Sequence, residues 1–153
     1  LQRVQAFLPE TLCWAIPYEG TQTDPTFHSA MYSLISEIER HGLHAGFHNG
    51  QLLRYTERGM SSYLFIDLLE TEDVLKHYPQ IMRIPEGEYL CTVSKESRIQ
   101  KAPEIFPELF RQTNNKVVVE VELFAEQLRY SEPVFELRCS IFDSRSGLGA
   151  WDG

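Results

Sequence analysis

One short theme occurs twice in the chain, as Ile16-Pro17-Tyr18-Glu19-Gly20 and as Ile84-Pro85-Glu86-Gly87. Each copy follows a short apolar run, and each precedes a helical pattern and then two strand-like segments. The echo predicts a duplicated module of strand, helix, strand and strand. Duplication constrains the fold strongly: two such halves must share a seam, and seams between packed units are where small ligands tend to bind.

Leu12 to Tyr18 reads as the first strand, stopped by Pro17 and Gly20. Asp24 is placed to cap a helix that carries Pro25 in its first turn. Phe27, Met31, Leu34, Ile35 and Ile38 recur at helical spacing, so that helix has one apolar face. Gly42, after Arg40-His41, marks its end. Two strands follow, His44 to Thr56 and Ser61 to Glu70, separated by a turn at Glu57-Arg58-Gly59. The second of them alternates, with Leu64, Ile66 and Leu68 facing one way and Tyr63, Phe65 and Asp67 the other. The polar stretch Thr71 to Pro79 connects the halves.

The second half reads as a strand from Gln80 to Val93, a helix from Pro103 to Gln112, a strand from Lys116 to Phe124 and a last strand from Val134 to Asp143. Ile105, Phe106, Leu109 and Phe110 form the helix's apolar stripe, and Pro107 inside it predicts a later start or a kink. One domain is expected over 10–143, with modules at about 10–70 and 80–143. Residues 1–9 read as a stub from a preceding segment. The Ser- and Gly-rich residues 144–153 read as a flexible tail in which Trp151 has no expected packing partner.

At 153 residues the chain has room for one domain with a proper core. Its formal charge of −8 argues against direct nucleic-acid binding, which needs a basic surface. The first residue is Leu1 rather than Met, which suggests an excised domain or a processed protein. No apolar run is long enough to span a bilayer, so no membrane partner is expected. Cys13, Cys91 and Cys139 stand singly in strand-like surroundings and read as reduced core thiols, which fits a cytoplasmic protein. His44 and His48 are four apart, a metal-binding spacing only on a helix, and Gly46 and Gly50 exclude one. No metal and no cofactor is expected, and no nucleophile turn or phosphate loop is present.

The candidate chemistry lies on Val117 to Phe124. Alternation puts Val117, Val119, Val121 and Leu123 on one face, expected against the helices, and Val118, Glu120, Glu122 and Phe124 on the other. Two carboxylates on one buried face need a cation or a raised pKa, and a ligand cation could supply that pairing. The plain alternative is a solvated sheet face. Tyr63 and Phe65, opposite an aliphatic face, suggest a second lining such as a groove needs, or simple cross-strand pairing. Trp14 and Tyr18 could join the same wall, although Trp14 equally suits a core anchor, and Tyr55 is a weaker candidate. Tyr89 suits a ring over a cation or a core position.

Ala15-Ile-Pro-Tyr-Glu-Gly20, Arg83-Ile-Pro-Glu-Gly-Glu-Tyr-Leu-Cys91 and Phe135-Glu-Leu-Arg-Cys-Ser-Ile-Phe-Asp143 resemble the opening, middle and closing motifs of the GyrI-like effector-binding domains. Among these the chain is most similar to the drug-binding C-terminal domains of MerR-type regulators. The resemblance implies an α+β fold: two strand-helix-strand-strand modules in pseudo-twofold arrangement, with a curved antiparallel sheet, helices on one side and a ligand groove on the other. It implies that Glu120, or Glu122 if the turn carries a gap, pairs with lipophilic cations and that Tyr89 lines the groove. In such regulators DNA is bound only through an N-terminal domain, which this sequence lacks, and residues 1–9 would lead out of a dimerising coiled coil.

Three functions follow as expectations. The first is a multidrug-type effector-binding domain of a bacterial transcription regulator, taking an amphipathic cation and homodimeric in the full-length protein. The second is a hydrolase of strained small molecules, with Glu120 and Tyr89 as base and acid. The third is a gyrase-binding inhibitor with an acidic surface. The expected protein is a binder, not an enzyme.

Overall fold

The computed structural model describes residues 2–111, 113–123 and 134–144. Its strands are β1 (Arg3–Leu8), β2 (Thr11–Pro17), β3 (Ala45–Thr56), β4 (Gly59–Leu68), β5 (Ile81–Ile84), β6 (Gly87–Ser94), β7 (Lys116–Leu123) and β8 (Val134–Ser140). They form one antiparallel sheet in the order β1-β6-β8-β7-β3-β4-β2-β5. The helices are α1 (Thr26–Arg40), α2 (Glu72–Leu75) and α3 (Ala102–Ile105), with 3-10 turns at Ile99–Lys101 and Pro107–Leu109. The expected α+β architecture of two modules is what the chain adopts. β2-α1-β3-β4 and β6-α3-β7-β8 each order their strands first, third, second, and they meet along the β3–β7 pair.

The outer strands are exchanged between the halves. β1 precedes β2 in the chain but pairs with β6, while β5 precedes β6 but pairs with β2. β1 and β2 stand first and seventh in the sheet order. In a flat sheet such strands would be about 29 Å apart, yet the three residue steps from Leu8 to Thr11 reach about 11 Å at most. The sheet is therefore rolled until its two ends nearly meet. The two connections run past each other, since Leu8 pairs with Gly87 and Thr11 with Ile84.

This corrects the sequence echo. The structural counterpart of Ile84-Pro85-Glu86 is Leu8-Pro9-Glu10, because both join an outer strand to the first strand of a module. Ile16-Pro17 lies at the far end of β2 instead. The expected single strand from Gln80 to Val93 is likewise two strands, broken where Pro85 has no N–H to give a ladder. Gly87 resumes pairing at φ 148°, and a Cβ there would fall 2.3 Å from the Phe142 ring. Residues 3–8, read as part of a stub, form β1. Arg3 ties it to the second half by donating to Ile105 O and Glu108, with its guanidinium 5.1 Å from the centre of the Phe106 ring.

The first helix is as its periodicity requires. Phe27, Met31, Leu34 and Ile38 are buried, each contributing roughly 1.5–3 kcal/mol of apolar transfer. Gly42 adopts φ 73° and its N–H bonds Glu39 O at 2.9 Å, closing the C-terminus. Asp24 does not cap α1 with its side chain; its carboxylate instead accepts from Thr21 N at 2.9 Å and closes the turn before the helix. The second helix differs more. It starts before Pro103 and α3 ends at Ile105, because the residue before Pro107 is pushed out of helical geometry, with Phe106 at φ −120°, ψ 56°. Gln112, Phe124, Trp151 and residues 145–153 lie outside the described residues.

Apolar side chains bury both faces of the sheet. On the helix side, Trp14, Leu64, Ile66 and Ile81 pack with α1 in one half. Leu53, Val118, Leu137 and Cys139 pack with Ile99, Ala102 and Phe106 in the other. Inside the roll, Cys13, Ala15, Leu52, Phe65, Ile84, Val117, Val119 and Val121 form a third cluster. Among the described residues no helix is long and apolar enough to cross a membrane.

Candidate functional site

The concave face holds a cavity of about 190 Å³ between the halves. Leu8, Pro9 and Thr11 from one exchanged connection and Ile84 and Pro85 from the other close it on one side. Phe65, Tyr89, Val119 and Val121 supply further wall, and His48 and Arg138 are its basic members. A larger depression of about 870 Å³ at the β3–β4 turn, lined by Arg54, Arg58, Asn115 and Asp143 among others, is an open polar recess.

The cavity follows from the topology. Rolling the sheet buries its concave face, and the prolines at positions 9 and 85 keep the crossing connections free of ladder bonds. The crossing is pinned from outside by Arg83, which donates to Glu10 at 2.9 Å and to Glu72 at 2.7 Å. Tyr89 is held from inside: its hydroxyl donates to Pro85 O at 2.6 Å, and its ring meets Phe142 edge-on at 5.4 Å. Burial pushes the Tyr89 phenol well above its ordinary pKa.

His48 owes its position to an irregularity in β3. Register shifts between Ala45 and Asn49, so the chain bulges around Asp67. Gly46 makes room, since a Cβ there would lie 2.5 Å from the Asp67 carboxylate. His48 then donates its backbone N–H to Asp67 Oδ1 at 2.9 Å and sets Nδ1 3.0 Å from Oδ2. On β8, Arg138 Nε donates to Glu136 Oε1 at 2.6 Å.

The residues singled out from sequence divide sharply. Phe65 and Tyr89 line the cavity. Tyr63 shares the inner cluster with Phe65 but borders a separate recess with Pro17 and Met60. Trp14 is on the helix side, its ring 5.1 Å from His41 and 5.9 Å from Tyr78. Tyr18 is there too, against Phe27, with its hydroxyl 3.2 Å from Thr26 Oγ1. Tyr55 stacks edge-on against Phe110.

The faces of β7 are the reverse of those expected. Val119 and Val121 face the cavity, whereas Val118 packs under α3 and Glu120 lies among loops on the helix side. Glu120 is wholly buried. Its carboxylate accepts from Arg98 N at 2.8 Å, from Gln22 Nε2 at 3.2 Å and from Ser97 Oγ. Burial raises its pKa, and these hydrogen bonds from Ser97, Arg98 and Gln22 oppose the rise. Glu122, half-buried, follows Glu120 to that face, opposite Phe135 in register.

Alternation alone could not choose between the faces, because both are apolar. Arg138 and His48 could have been found from sequence only by treating a base on an apolar strand as informative. Among the described residues no group of three or more His, Cys, Asp or Glu could hold a metal. His44 pairs with Glu70 at 2.6 Å, apart from His48.

The fold and the site together define a two-module α+β domain with a cavity at its seam. No protein-family model matches the sequence, and no curated protein matches it. Two solved structures are similar over most of the chain. One is SAV2435 bound to tetraphenylphosphonium, 11% identical, with a TM-score of 0.48 over 91% of this chain and 93% of that one. The other is a complex of EcmrR with DNA, 14% identical, with a TM-score of 0.48 over 90% of this chain and 56% of that one. The chain thus spans about half the length of the second.

Proposed function

We propose that this chain is a small-molecule-binding domain whose ligand lies in the cavity at the seam, and that it serves as the effector-binding part of a transcription regulator. The observation that supports the first part most is the cavity itself, walled by both halves and by both exchanged connections. The second part rests on the sequence resemblance to GyrI-like effector-binding domains. A ligand touching Leu8, Pro9, Ile84 and Pro85 bears on the segments that hold the two ends of the sheet together. It can therefore shift an equilibrium between arrangements of the halves.

The volume limits the ligand. Drug-sized sites run to about 300–1,000 Å³, so about 190 Å³ encloses a short apolar group and leaves the rest of a larger ligand outside. The geometry supports binding over hydrolysis by the pair that the sequence suggested. Glu120 and Tyr89, the acid–base pair suggested by the sequence, stand on opposite faces of the sheet and cannot share a substrate.

The test is titration of the domain with octan-1-ol by calorimetry. The same titration is run on Val119→Phe, which fills the cavity. Binding is expected for the native domain and loss of binding for the variant. Equal binding by a folded Val119→Phe domain would place the site elsewhere.

A further inference from the structure

The resemblance implies a cationic ligand, yet the charge that lines this cavity is a guanidinium. Arg138 sits mid-strand in β8, opposite Val119 of β7 and Cys91 of β6, all on the concave face. Its Nε is taken by Glu136, but Nη1 and Nη2 have no hydrogen-bond partner among the described residues. A guanidinium offers five N–H donors in a planar fork that suits a carboxylate, so most of that capacity is unused.

The remaining wall agrees with this sign. His48 carries its Asp67 partner on Nδ1, which fixes a proton there and leaves Nε2 as the other polar atom of a cavity-lining ring. None of the described residues that line the cavity is a carboxylate. The carboxylates nearest in sequence on this face, Glu136 and Asp67, are each engaged by a base. An ammonium in the cavity would meet Arg138, while the carboxylate that pairs with it, Glu136, is not part of the cavity lining. A carboxylate would meet unpartnered donors. Phe65, Ile84, Val119 and Val121 supply an apolar surface for a short tail.

We propose that the cavity takes an amphipathic anion, a short-chain carboxylate whose headgroup is held by Arg138 and whose tail lies against Phe65 and Val119. This deepens the cavity reading above and rests on it.

The experiment compares octanoate, octylammonium and octan-1-ol, which share one tail, by calorimetry on the native domain. Octanoate is expected to bind roughly ten- to hundredfold more tightly than octylammonium, the range of a charge-assisted hydrogen bond. Arg138→Met keeps the apolar stem and should bring octanoate down to the octan-1-ol level while leaving octan-1-ol unchanged. Glu136→Gln, which frees Arg138 Nε, should keep or strengthen octanoate binding and guards against Arg138→Met failing to fold. If octan-1-ol binds but octanoate binds no more tightly than octylammonium, or if a folded Glu136→Gln domain loses octanoate, the headgroup proposal alone is overturned. If none of the three binds, the cavity reading falls with it.

Discussion

Gln22 Nε2 donates both to the carbonyl oxygen of Glu120, at 2.9 Å, and to its carboxylate Oε1, at 3.2 Å. One side chain from the loop before α1 thereby grips β7, the seam strand of the other half. From the second half, Ser97 and the Arg98 backbone N–H, in the loop after β6, reach the same carboxylate. Gln51, the register partner of Glu120 on β3, donates to Gly20 O at 2.7 Å and Ser62 Oγ at 3.0 Å. The seam on the helix side thus carries a buried polar cluster beside the apolar pair of Leu53 and Val118, while the seam on the concave side borders an apolar cavity.

The Glu120 carboxylate should make stability pH-dependent with a definite sign. Its folded pKa is raised by burial. Its contribution is therefore fully present below the unfolded carboxylate pKa and is lost as pH rises through the folded value. Denaturant unfolding of the native domain and of Glu120→Gln across the acid-to-neutral range should show the native domain losing ground to the variant as pH rises. Glu120→Ala, which strands three donors, should cost roughly 2–4 kcal/mol. A constant gap between the native domain and Glu120→Gln would contradict the raised pKa.

Gly50 should tolerate no side chain. It faces Val121 across the β3–β7 seam, and a Cβ would lie 2.0 Å from the backbone oxygen of Glu120. Backbone cannot swing aside as a flexible side chain can. Gly50→Ala should cost about 2–3 kcal/mol or prevent folding. A melting temperature equal to the native one would show that the seam is looser than this.

Tyr55 and Tyr89 should ionise late. Burial pushes Tyr55 up to about 12 and Tyr89 further still. A spectroscopic titration of the folded domain at pH ~11 should therefore show fewer phenolates than the unfolded chain, whose tyrosines titrate near pH ~10. Because both folded values are raised, their contribution to stability is present below that pH and lost as the pH rises above it. Tyr89→Phe should remove one of the late groups.

The three thiols should be inert in the native state. Cys13 and Cys139 are fully buried and Cys91 is 5% exposed, and burial pushes Cys91 to about 11 and Cys139 to about 12. An aromatic disulfide reagent at pH ~8 should label none of them until denaturant is added, since the thiolate is the reacting form. Fast labelling of Cys13 would mean that the inner cluster opens readily, and of Cys139 that the helix-side core does.

Local features were legible where one period dominated. The stripe of Phe27, Met31, Leu34 and Ile38 defined α1, and the alternation of Leu64 and Ile66 against Phe65 defined β4 with its correct faces. Pro107 marked trouble in the second helix, but its consequence depended on Phe106 settling outside helical geometry. Phe65 stood out as an aromatic ring on an alternating strand, whereas Tyr89 was singled out only by the resemblance of its motif; both line the cavity. Val119, Val121 and Arg138 did not stand out, because nothing local distinguishes their face from the other.

By itself the sequence determined the α+β composition, the two-module order and the extent of α1, since turn and periodicity preferences act over a few residues. Tertiary structure decided which repeat is the true one, which way β7 turns and where the cavity lies. The exchange of β1 and β5 rolls the sheet and buries its second face, so apolar character no longer marks one side as the inside. Glu120 was then free to serve the polar seam, and the cavity was left to Arg138.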